Sequence, residues 1–332
     1  MNNFFVDPEN NQLRGVWRAF ILIAVSPLTL NFMQWLLMPA SAAIETRDAV
    51  MSVGLGSILV YGFLCGWVIF ASWACLKLFE KLRLGTLGFG FFRGFGKEIM
   101  LGLGIAAAMI VATVILQMIG GGTRIILNPL FWKTVDGTRS FDLIGTGMIL
   151  REALLTFIFF SLAAAFEELM FRGYAFQTIL RDAIPPVFPI LALSIFFGAL
   201  HLGNPDSTIF STANTILAGI WLSVAYLKTR SLWFPTALHV GWNWTMGMIF
   251  GLPVSGMKLS KYPILISTSD APKWLTGEGY GPEGGVATTL ILLVTTILIW
   301  NSKSLTIAPG MQKMLDMKDT KSEENISLGL AE

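Results

Sequence analysis

The chain reads as an all-α protein, a polytopic transmembrane bundle of about eight membrane-spanning helices. Two observations carry that reading. Of the 332 residues, 54% are apolar and only 13% are charged, against about 25% charged in an ordinary soluble domain. The apolar residues also fall in blocks close to the ~20 residues a helix needs to cross a bilayer. A net charge of +2, with positive residues scattered between apolar blocks, argues against nucleic acid as a partner and leaves the lipid bilayer. No Gly-rich phosphate loop follows a strand-like run. Cys65 and Cys75, the only cysteines, share one apolar block and read as small buried hydrophobes.

Taken in order, the spans are expected near 16–39, 52–78, 99–119, 147–171, 187–203, 208–228, 232–251 and 285–300. The first block is too long for a signal-peptide core and no small-residue cleavage site follows it, so it is expected to be retained. Residues 174–184 are expected to continue helical until Pro185-Pro186 stops them. The organisation is then a polar segment over 1–13, a transmembrane domain over 14–301 and a polar, disordered tail over 302–332. No internal repeat is evident.

Orientation follows from Lys and Arg between the spans. With alternating helices, one side carries Arg14, Arg18, Lys77, Lys81, Arg83, Arg93, Lys97, Arg181, Lys228, Arg230 and the tail lysines; the other carries Arg47, Arg124, Lys133, Arg139, Lys258, Lys261 and Lys273. The richer side is expected to be cytoplasmic, which puts both termini inside a bacterial plasma membrane and long outer loops near 120–146 and 252–284.

Inside the apolar blocks lie groups that do not belong there on composition. Glu167-Glu168-x-x-x-Arg172, His201 and His239 place five ionisable side chains in three segments, and each costs about 2.5–3.5 kcal/mol in hydrocarbon even on a lenient scale. On a helix Glu168 and Arg172 face each other, acid before base, so Glu168 neutralises Arg172. Glu167 points about 100° away and, with no adjacent cation, is the carboxylate free for general-base work. His239 and Asn243 share a helix face and form a plausible oxyanion-stabilising pair. Bland alternatives stand beside each: an interfacial Glu–Arg cluster, a structural His201 at a span end, and polar interhelical glue at His239 and Asn243. Alternation puts His201 near the outer end of its span and His239 about 11 Å past the inner end of its own. A shared site therefore requires a short, tilted or re-entrant segment, and its mouth is expected near Thr236 and Ala237.

The order Glu-Glu-x-x-x-Arg, then Phe197-x-x-x-His201, then His239-x-x-x-Asn243, with Ser231-Leu232-Trp233-Phe234-Pro235 leading into the last, resembles the CPBP family of CAAX proteases and bacteriocin-processing enzymes. The resemblance spans residues 167–243. It implies an intramembrane endopeptidase of the glutamic type acting on membrane-associated or lipid-modified peptides and proteins. Glu167 would be the catalytic carboxylate, His201 its partner in activating water, and His239 with Asn243 the oxyanion side. Glu168 and Arg172 would support them. No cofactor is implied. A zinc protease using two histidines and a glutamate is an alternative, although His-Glu-x-x-His is absent, and so is a non-catalytic scaffold, immunity factor or transporter. A covalent mechanism is disfavoured, since no serine or cysteine adjoins a histidine. Substrate and oligomeric state stay open.

Overall fold

The computed structural model describes residues 5–7, 12–24, 53–121, 123–182 and 184–316. Helices run through it in the expected order: α1 (Gly15–Ala24), α2 (Leu55–Cys75), α3 (Phe95–Ile119), α4 (Leu143–Phe171), α5 (Tyr174–Arg181), α6 (Val187–Leu200), α7 (Ile209–Thr229), α8 (Trp233–Trp244), α9 (Lys273–Thr276), α10 (Val286–Asn301) and α11 (Pro309–Asp316). A mostly helical membrane protein is therefore what the sequence encodes. The expected count of eight is not reached by the long apolar helices among the described residues, however.

Among the described residues four helical stretches are long and apolar enough to cross a membrane: Leu55–Glu80, Phe95–Ile119, Leu143–Arg181 and Ile209–Thr229. Of the other expected spans, α6 with its terminal turn (Val187–Gly203) and α10 are shorter apolar helices, and α8 has 12 residues extended by a π-helical turn, Thr245–Ile249. The expected first span, 16–39, is helical over Gly15–Ala24, and the rest of it lies outside the described residues. Counting apolar residues overestimates spans because a helix enclosed by other helices is as apolar as one facing lipid. In α8, every residue from Phe234 to Trp242 is buried, so its length is set by protein neighbours.

Close approach of α8 to α3 rests on glycine. A Cβ on Gly102 would lie 2.7 Å from Ala237 Cβ, and one on Gly241 2.9 Å from the Leu103 carbonyl. Small residues at both crossings let the backbones touch, which is how helices gain packing energy where lipid removes the hydrophobic driving force. Gly102→Ala is expected to lower the thermal midpoint in detergent by several °C, the ordinary cost of overpacking being about 1–3 kcal/mol; an unchanged midpoint would mean the helices separate freely. Ala237 and Thr236 are buried in this crossing, so the cavity mouth is not where the sequence placed it.

The two long loops meet at one end of the bundle. Strand β3 (Thr123–Leu127) pairs antiparallel with β6 (Leu265–Ser269), and β4 (Trp132–Val135) pairs with β5 (Thr138–Phe141). Asp136 and Gly137 both have positive φ, as a tight hairpin turn demands. A further ribbon, β1 (Val6–Asp7) with β2 (Gln12–Leu13), precedes α1. The fold is thus helical with short strands at its ends rather than purely α. At the opposite end Arg18 and Arg181 both pair with Glu80, and Leu232 N–H donates to the Gly88 carbonyl. The basic residues of the richer set collect there. Within 302–332, α11 is ordered, with Met311 fully buried; residues 317–332 lie outside the described set.

Candidate active site

Helix α4 is capped at its start by Asp142, whose side chain accepts from Ile144 N–H. It ends where Arg172 leads into Gly173, at which a Cβ would lie 2.2 Å from the Leu169 carbonyl. Only glycine lets the chain break there and re-enter as α5, so residues 174–181 form a separate helix that stops at Arg181 rather than a continuation to 184. The break leaves the last turn of α4, with Glu167, Glu168 and Arg172, inside the protein.

Arg172 is 1% exposed and Glu168 0%. Their ion pair, Nη1 to Oε1, is 3.0 Å long. Nη2 donates to the Gly219 carbonyl at 2.7 Å and Nε to Ser223 Oγ at 3.4 Å, both on α7. The guanidinium also lies over the Phe197 ring of α6, 5.2 Å from its centroid. One buried cation thus joins α4, α6 and α7, and its charge is answered by Glu168 as the spacing predicts.

Glu168 has a second partner that the spacing did not reveal. Its Oε1 also lies 3.0 Å from Nδ1 of His239 on α8. With Nδ1–H donating to the carboxylate, the tautomer is set and Nε2 is the free ring nitrogen. That nitrogen lies 3.7 Å from Glu167 Oε2, beyond direct hydrogen bonding and suited to a bridging water. Glu167 Oε2 is buried and has no hydrogen-bond partner.

His201 follows the last residue of α6. Its Nδ1 is 2.7 Å from the Phe197 carbonyl; the carbonyl can only accept, so Nδ1 carries the proton and Nε2 is again free. At 14 residues, α6 rises only about 21 Å. It is the short segment that a shared site required, and it stops His201 within the bundle. The Phe197 ring lies near both histidines, 4.6 Å from His201 and 6.3 Å from His239 between centroids.

Glu167, His201, His239 and Asn243 line one cavity. Asn243 makes no side-chain hydrogen bond among the described residues, so its amide is available to a ligand. The cavity offers about 80 Å³ to water centres, several times the ~10–15 Å³ one water needs. Glu168 and Arg172 do not line it and stand behind His239. Tyr61, Asn214, Trp221, Ser255, Glu283 and Thr288 also contribute to the wall, and sequence reasoning missed them. They carry no charge cluster or spacing that marks them, and Ser255 and Glu283 come from a loop expected to be far from the membrane interior. No group of three or more His, Cys, Asp and Glu side chains suited to a metal ion occurs among the described residues.

A family model, Type II CAAX prenyl endopeptidase Rce1-like, matches residues 149–245. The match takes in under a third of the chain and contains all six motif residues. The resemblance read from the three motifs is borne out over that segment. No curated protein and no solved structure matches the chain.

Proposed function

We propose that this Rce1-like chain is a glutamic-type intramembrane endopeptidase, hydrolysing membrane-associated or lipid-modified peptides without a metal. The observation that carries the reading is the convergence of Glu167, His201, His239 and Asn243, from three separate apolar segments, on one cavity inside the bundle. Ionisable groups so placed are costly unless they work.

In this mechanism a water donates one O–H to Glu167 Oε2 and the other to a free histidine Nε2. Glu167 takes its proton as the oxygen attacks the scissile carbonyl carbon. The carbonyl π electrons move to oxygen, and the oxyanion accepts a hydrogen bond from the Asn243 amide, while His239, whose Nε2 carries no proton in this tautomer, serves on the side of the water. Collapse returns that pair, breaks the C–N bond and passes the proton from Glu167 to the departing nitrogen. One peptide leaves as a carboxylic acid and the other as an amine, and the acid then gives its proton to solvent. Glu168 holds His239 in the tautomer that turns Nε2 to the water, a positioning role added to its pairing with Arg172.

The test is cleavage of a mixed peptide pool by the purified full chain in detergent micelles, read by mass spectrometry as new termini. Activity is expected to survive strong chelators. Loss of activity restored by added zinc would establish the metalloenzyme instead, with Glu167, His201 and His239 as ligands. No cleavage of any peptide would return the chain to the scaffold class.

The end of the bundle bearing Arg18, Arg83, Arg181, Lys228 and Arg230 is proposed to face the cytoplasm of a bacterial cell, and the stranded end the exterior. With Cys65 and Cys75 replaced, Thr134→Cys, exposed in β4, is expected to react with an impermeant thiol reagent in intact cells. Ser304→Cys is expected to react only in inverted vesicles. The reverse pattern would invert the orientation.

A further inference from the structure

One carboxylate on the cavity wall belongs to none of the three motifs. Glu283 lies in the turn Pro282–Gly284, beyond the matched segment, and lines the same cavity as Glu167 and His239. Three donors hold it in place. Trp242 Nε1–H donates to Oε1 at 3.0 Å, and Ser255 donates to Oε2 through its backbone N–H at 2.6 Å and its hydroxyl at 2.8 Å. The backbone is fixed as well, since Asn214 Nδ2–H donates to the Glu283 carbonyl at 2.8 Å.

None of these donors is a cation, and Glu283 forms no ion pair among the described residues. A carboxylate has about four lone-pair positions, so the three donors leave capacity for another. Glu283 is half-buried, and a cationic ligand would supply the counter-charge that its three donors do not. Two further observations point to a ligand here. Trp221 Nε1 and Thr288 Oγ1 are buried without a hydrogen-bond partner, their residues are 1% and 0% exposed, and both residues line the cavity. An indole N–H can only donate and a hydroxyl can do either; a peptide main chain supplies the matching carbonyl and amide. The Trp221 and Trp242 rings lie 5.8 Å apart, and indole rings attract a neighbouring ammonium or guanidinium.

We propose that Glu283 is the cation-recognising end of the substrate cleft, binding a lysine or arginine side chain, or a free amino terminus, of a peptide whose main chain pairs with Trp221 and Thr288. This rests on the reading of the cavity as a peptide-cleaving site. Substrate choice is then set by a residue of the loop that closes the stranded end of the bundle, while the chemistry stays with α4, α6 and α8.

Binding can be measured apart from cleavage. Fluorescently labelled, N-acetylated peptides carrying lysine, or norleucine in its place, at successive positions around a central bond are titrated into the full Glu167→Gln chain in micelles and followed by anisotropy. One lysine position is expected to bind about tenfold or more tightly than its norleucine counterpart, the size of a charge-assisted hydrogen bond. That advantage is expected to fall to parity when Glu283→Gln is added. If only a norleucine peptide with an unblocked amino terminus gains, the cation is the terminus rather than a side chain. Parity of all probes while Glu283 is intact overturns the proposal, and this comparison needs no change at Glu283 that could harm folding. A lysine preference that survives Glu283→Gln in a chain of unchanged melting temperature overturns it too, leaving Glu283 as a tie for the loop. The unsubstituted chain is tested for cleavage in parallel: intact lysine preference without cleavage refutes the peptidase reading and leaves cation recognition standing.

Discussion

Glu167→Gln is expected to reduce proteolysis by about 10²–10⁴-fold, the usual contribution of a positioned general base, with the melting temperature in detergent close to that of the unsubstituted chain. The amide keeps the side chain's shape and removes its capacity to take a proton. Folding should notice little, because the Glu167 side chain makes no hydrogen bond among the described residues, and its approach to His239 Nε2 is 3.7 Å. Peptide cleavage and thermal unfolding measured on the same preparation decide the matter. Undiminished cleavage would remove Glu167 from the mechanism.

Glu168→Gln is expected to do the opposite in proportion. Among the described residues its carboxylate is the one anion paired with fully buried Arg172, and it also fixes His239 through Nδ1. Removing one partner of a buried pair strands the other, at about 3–5 kcal/mol, so the variant should melt far earlier. Whatever folded protein remains should also cleave slowly, because the amide can present its NH₂ to His239 and disturb the tautomer that leaves Nε2 free. Equal losses of stability in the Glu167→Gln and Glu168→Gln variants would show that the labour is not divided in this way.

The residues dense in chemical information were legible in the sequence. Charged groups in apolar blocks are conspicuous because lipid penalises them, and a four-residue spacing fixes who faces whom within one helix, as with Glu168 and Arg172. What spacing cannot encode is contact between helices. The bond from Glu168 to His239, 71 residues apart in sequence, arises from the packing of α8 against α4, which no local pattern reports. The same limit hid Glu283, a lone carboxylate in a turn of glycines and proline. Span counting failed for a related reason: α8 is apolar because protein surrounds it, and hydropathy does not distinguish a protein neighbour from a lipid one.

Helix α6 turns Phe188, Leu191, Ile195 and Leu200 outward, as a lipid-facing helix does, yet its rise of about 21 Å falls short of a hydrocarbon core about 30 Å thick. Where a hydrophobic wall is shorter than the surrounding lipid, thinning of the bilayer is one of the ways the two are matched. Thinning beside α6 would fall next to His201. The lipid would then take part in the site, its acyl-chain length setting how far water stands from the histidine.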